Sequence, residues 1–176
     1  MIQKEQLIVY YRGSRGDFLT SILFGDMLET SYTTPWIKHS AAFSSIKYHD
    51  DGCESIPQHF LCVDKLTSEV IKQYYSVRIK IETEQDINQI IALANAKMGQ
   101  TINPLAHNIE VSIIKSWETR FSKFDKDFNL VVPFADLWDV DKIEQHFYQV
   151  NRKYITYSQK HRIQHNININ RQLIQM

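Results

Sequence analysis

The segment Arg12-Gly13-Ser14-Arg15-Gly16-Asp17 concentrates more anion-meeting groups than any other stretch of this 176-residue chain. Two glycines let the backbone take positive φ and approach a ligand closely. Two guanidiniums offer paired donors matched to phosphate or sulfate oxygens, and Ser14 adds a hydroxyl. A helix opening at this point would add exposed N–H groups and a dipole that favours an anion. Residues 12–18, Phe18 included, are therefore expected to form a phosphate or sulfate cradle. A Walker A loop needs G-x-x-x-x-G-K-(S/T) and a dinucleotide loop needs G-x-G-x-x-G. Neither string occurs. Two other readings of the segment are a plain strand-to-helix turn and the integrin tripeptide that Arg15-Gly16-Asp17 spells.

Other side chains able to do chemistry are sparser. His39, His49 and His59 lie in an irregular stretch, and His49 beside Asp50 is the candidate general base, because the carboxylate could orient its ring. His161 and His165 stand four apart and would share a helix face. A zinc-protease helix carries Glu after the first histidine, whereas this chain has Arg162, so no metal site is expected. Lys160, Arg162 and Arg171 make that face suited to anions instead. Cys53 and Cys62 have no ligand partners at short spacing and are read as reduced, unreactive thiols, with a disulfide between them as the second reading. Trp36, Trp117 and Trp138 are read as core or half-buried anchors.

The elements that must position these groups alternate in type. Leu7–Tyr11 is a run of β-favouring residues and predicts a buried strand, followed by the glycine segment and a helix from Phe18 to Leu28. Between 30 and 66 the pattern is weak: Ala41–Lys47 has no period, and His59–Val63 is a candidate strand. Ser68–Tyr74 predicts a short helix and Val77–Ile81 a strand. Thr83-Glu84-Gln85-Asp86 is a capping-box pattern opening a helix with Ile87, Ile90, Ile91 and Ala94 on one face and Gly99 as its stop. Ile109–Phe121 predicts a helix with Ile113, Ile114 and Trp117 inward. Asn129–Val132 predicts a strand ended by Pro133. Asp136 or Asp139 caps the next helix, with Val140, Ile143, Phe147 and Val150 inward and a break at 151–154. A last helix runs from about Thr156 to Ile174, despite an Asn-rich middle that forms helix poorly. Alternating strands and helices without a linker predict one α/β domain over 1–176, a parallel sheet with helices on both faces.

Composition narrows the partners. With 43% hydrophobic residues, the chain has enough apolar content to fold rather than remain disordered. Twenty Lys+Arg balance twenty Asp+Glu, so bulk charge advertises neither nucleic acid nor a membrane. The distribution is uneven: residues 1–144 carry a formal −5, and the basic segment at about 155–176 falls within a stretch with no acid after Glu144. That segment is expected to dock on its own acidic domain, with phosphate contact as the second reading. No apolar run spans a bilayer, and the opening residues lack a signal-peptide pattern, so a cytoplasmic protein is expected.

The string from Arg12 to Leu19, directly after an N-terminal strand, resembles the phosphosulfate-binding loop of the sulfotransferase family. That loop often reads Pro-x-Ser-Gly-Thr-(Thr/Ser)-(Trp/Phe)-Leu, or Pro-Gly-Ser-Gly-Gly-Asn-Phe-Leu in short bacterial and phage-type members. Ser14, Gly16, Phe18 and Leu19 fall in register, as does Gly13 with the second form. Val132-Pro133-Phe134-Ala135-Asp136-Leu137-Trp138-Asp139 is similar to the carboxyl half of those short proteins. The resemblance implies a P-loop-like three-layer fold that binds 3′-phosphoadenosine 5′-phosphosulfate (PAPS) at residues 12–18 and transfers its sulfuryl group to an unknown acceptor, with no metal. It also implies an arginine near a central strand holding the 3′-phosphate, for which Arg78 is the nearest candidate. Asp17 stands where the family places Thr, Ser or Asn, and a carboxylate there repels phosphate unless Arg12 or Arg15 pairs with it. The alternative function is a non-enzymatic interaction protein that keeps the fold as a scaffold. The Ile-, Lys-, Asn-, Gln- and Tyr-rich usage fits a phage or mobile-element origin. A nucleic-acid role for the basic tail is a third reading.

Overall fold

The computed structural model describes residues 6–11, 13–24, 45–48, 66–99, 101 and 103–175. Among them four strands form one sheet with every pairing parallel: β1 (Gln6–Val9), β2 (Ser45–Tyr48), β3 (Tyr75–Lys80) and β4 (Leu130–Pro133), in the order β2-β1-β3-β4. The registers place Val9 opposite Arg78 and Arg78 opposite Val131. Leu7, Ile8 and Val9 are all buried, and so are Ser76 through Ile79. Continuous burial of this kind, where an alternating strand would leave every second residue wet, means that both faces of the central strands are covered. The expected candidate strand His59–Val63 lies outside the described residues. β2 is a strand that the sequence pattern did not announce.

Among the described residues six helices accompany the sheet: α1 (Gly16–Phe24), α2 (Ser68–Gln73), α3 (Glu84–Met98), α4 (Pro104–Ser122), α5 (Val140–Asn151) and α6 (Tyr157–Gln175). Two 3₁₀ turns, Asp125–Asp127 and Phe134–Trp138, flank β4. α1 packs against α5, α3 against α4 and α6, and α5 against α6. The caps follow the residue types. Thr83 Oγ1 accepts from Asp86 N–H while Asp86 Oδ2 accepts from Thr83 N–H, a complete capping box. Gly99 closes α3 at φ +62°. Asp139, of the two candidate acids, caps α5 by accepting from Asp141 and Lys142 N–H.

The inward face of α4 differs from expectation. Ile114, Trp117 and Phe121 are buried, but Ile113 is 39% exposed and continues an outer stripe with Leu105 (71%) and Ile109 (53%). The helix is apolar on two sides, so spacing alone does not choose between them. α6 forms through its Asn-rich middle because Asn166 and Asn170 are buried and used: Asn170 Nδ2 donates to Asn166 O at 2.8 Å. No helix among the described residues is long and apolar enough to cross a membrane.

The Thr83 cap is expected to contribute about 1 kcal/mol, the usual worth of a threonine at this position. Thr83→Ala should lower the unfolding free energy by that amount, seen as a lower urea midpoint with an unchanged denaturant slope.

Candidate functional site

In open α/β sheets, ligands bind beyond the carboxyl ends of the strands where the strand order reverses. Here the order reverses between β1 and β3, and the segment leaving β1 is the glycine turn. Gly13 has φ +80°, and an added Cβ would lie 2.7 Å from Ile90 O on α3. Glycine is thus needed there for its conformation and for close packing on α3. Ser14 is fully buried, with both its N–H and its hydroxyl donating to Tyr11 O. Arg15 has φ +63°, and its carbonyl accepts from Leu19 N–H as α1 begins. At Gly16 a Cβ would meet the Tyr10 ring at 2.1 Å. The Tyr10 hydroxyl donates to Asp17 Oδ1 at 3.3 Å, so the glycines and the serine serve internal packing.

The Arg15 side chain turns inward. Only 5% of the residue is exposed. Nη1 donates to Leu137 O at 2.5 Å, and Nη2 to Asn166 Oδ1 at 2.8 Å. The guanidinium lies between two rings, 3.8 Å from the Phe18 centroid and 4.6 Å from that of Trp138, a cation–π arrangement. Burial, with the nearby charge of Arg171, pushes its pKa down to about 9, which still leaves it cationic at neutral pH. An Arg15 so enclosed does not reach over the loop toward a phosphate, and it cannot present an integrin tripeptide. Arg171 donates to Trp138 O at 2.8 Å, so two arginines converge on neighbouring carbonyls of one 3₁₀ turn. Sequence spacing missed this cluster because its partners lie 122 and 151 residues away.

Arg78 is placed in the central strand as expected but differently occupied. It is fully buried, with Nη2 bonded to Glu118 on α4 and Nη1 to Asp125 at 2.7 Å. Glu118 also accepts from Ile81 N–H, at 3.2 Å, and its carboxyl is pushed up by desolvation, against the pull of Arg78. With both terminal nitrogens bonded to carboxylates, Arg78 is an internal ion-pair hub, at the position where the resemblance implies a 3′-phosphate contact. Arg12 and His49, the other cation and the candidate base, lie outside the described residues, as do His39, His59, Cys53, Cys62 and Trp36. Trp117 and Trp138 are buried anchors.

No protein-family model, curated protein or solved structure matches the chain. The assignment of the site therefore rests on its own geometry.

Among the described residues no group of three His, Cys, Asp or Glu side chains is placed to hold a metal ion. His161 and His165 are exposed on α6. The basic tail meets its own domain in part: Lys160 pairs with Glu144 at 2.6 Å and Asp141 at 3.7 Å, both on α5. A histidine–carboxylate pair not anticipated from sequence joins His146 Nε2 to Asp136 at 2.8 Å. The 10-residue spacing gave no signal, because it spans a 3₁₀ turn and part of α5.

Gly16→Ala should cost about 1–3 kcal/mol in equilibrium unfolding, since the methyl must displace the buried Tyr10 ring. Arg78→Met should cost about 3–5 kcal/mol, because it leaves Glu118 and Asp125 without their shared cation. Glu118→Gln, which keeps Asp125 on Arg78, should cost clearly less in the same assay.

Proposed function

We propose that this protein binds a phosphate- or sulfate-bearing nucleotide over the β1–α1 turn, in the manner of a small sulfotransferase-like, P-loop-like α/β protein, with PAPS as the donor class. The observation that carries the reading is the turn's position. It leaves the sheet where the strand order reverses, passes through positive φ at Gly13 and Arg15, and opens into the N-terminus of α1. Backbone N–H groups in such a conformation form a concavity suited to anions.

The chemistry proposed is binding first. Sulfuryl transfer needs a base on the acceptor and a cation at the developing charge on the leaving phosphate. Arg15 and Arg78 are both engaged inside the fold, which leaves Arg12 as the loop cation for a donor and His49 as the proposed base. Asp17 in the first turn of α1 opposes an anion and sets the affinity that the loop can reach.

A second reading, a non-enzymatic interaction protein, is favoured by a different observation: the exposed Leu105–Ile109–Ile113 stripe on α4. Apolar side chains aligned in this way on a helix commonly mark a contact surface.

Calorimetric titration with 3′-phosphoadenosine 5′-phosphate, with ATP and inorganic sulfate as controls, tests the first reading. Micromolar binding is expected, weakened about tenfold in Arg12→Ala through loss of a charge-assisted contact. Asp17→Asn should tighten it several-fold by removing a like charge. Absence of binding by the wild type rejects the nucleotide reading. The interaction reading instead expects a partner captured by the wild type and lost in Ile109→Asp/Ile113→Asp.

A further inference from the structure

Arg15 is buried with more donors around it than acceptors can serve. A guanidinium carries five N–H donors, and the two acceptors that Arg15 meets, Leu137 O and Asn166 Oδ1, are neutral. No carboxylate pairs with it among the described residues. Asn166 Oδ1 receives both Arg15 and Asn170 Nδ2, which fixes the amide orientation and leaves Asn166 Nδ2 without an acceptor. The Trp138 indole Nε1, on the ring that covers the guanidinium, is also buried without an acceptor. Arg15, Trp138 and Asn166 are 5%, 8% and 1% exposed. Orphaned buried donors are costly, and a buried cation without a counter-charge is more so. Two such donors beside one such cation, with the exposed Arg171 adding positive charge from the side, define a site whose missing component is negative.

We propose that this cluster binds a halide-sized inorganic anion between Arg15, the Trp138 indole and the Asn166 amide. Water could accept from the orphan donors but would leave the charge uncompensated. The close burial of all three residues favours a monatomic ion over a tetrahedral oxyanion. The donors come from the β1–α1 turn, the 3₁₀ turn after β4 and α6, so the ion ties three distant segments together. This inference goes beyond the nucleotide reading: it uses inward-facing side chains, and it stands whether or not a nucleotide binds over the turn.

The test measures the melting temperature of the full chain in sodium gluconate, with chloride or bromide replacing gluconate at constant ionic strength. Wild type should show a rise that grows with the logarithm of halide concentration and reaches about 3–6 °C at ten times the dissociation constant. Sulfate should not reproduce it. Trp138→Phe keeps a ring over Arg15 but loses the donor, and should need about tenfold more chloride for the same rise. Asn166→Asp supplies a carboxylate in place of the ion, so its melting temperature in gluconate should exceed wild type and its chloride response should vanish. A bromide-soaked crystal should show an anomalous peak within hydrogen-bond reach of Trp138 Nε1. A flat wild-type response, an equal response to sulfate, or an unchanged chloride requirement in Trp138→Phe overturns the proposal. That last variant decides the matter should Asn166→Asp not fold.

Discussion

The charge of the Arg15 guanidinium, held between Phe18 and Trp138, is the constraint around which the amino-terminal turn, the 3₁₀ turn after β4 and the last helix are arranged. Taking such a group out of water costs several kcal/mol unless polar partners replace the solvent. Here the partners are a backbone carbonyl, a side-chain amide and two aromatic faces. Each must be in place for the others to be useful. The positive φ of Arg15 is the local expression of this demand: the residue leaves the ordinary backbone region, and its side chain turns into the domain instead of outward.

A second buried arginine in the same domain is handled by the opposite means. Arg78 has Glu118 and Asp125 on its terminal nitrogens, and Lys80 approaches Asp125 at 3.5 Å. That network fastens α4 and the Asp125–Asp127 turn to β3, so the carboxyl ends of the central strands are rigidly framed on that side. One guanidinium is matched by charge and the other by neutral oxygens and rings. The contrast separates a structural ion pair from a group that remains electrostatically unfinished.

Local chemistry was well legible in the sequence. The Thr83–Asp86 box, the Gly99 stop, the α5 cap (one of two candidate acids) and the buried run of β1 all depend on residues within a few positions of one another. By contrast, the apolar–polar alternation of Val77–Ile81 did not announce that Arg78 is buried. Two kinds of feature were not legible. Ser45–Tyr48 carries a lysine amid short polar and apolar residues, and its strand identity comes from pairing with β1 rather than from its own pattern. On α4, Ile113 and Ile114 both stand at helical spacing to Trp117, and only the packed domain shows which of them faces inward. The site was partly legible for a related reason. The turn's glycines and its place before a helix could be read, but the direction of Arg15 depends on Leu137 and Asn166, far along the chain.

That separation governs the order in which the molecule can be built. On a ribosome the β1–α1 turn emerges first, but the acceptors of its arginine are synthesised 122 and 151 residues later. Until α6 is complete, the Arg15 guanidinium lacks the second of its two acceptors. Native contacts at such sequence distance slow folding. The amino-terminal strand and helix are thus not a unit that matures early and waits. Completion of the first turn of the domain is coupled to the arrival of its last helix.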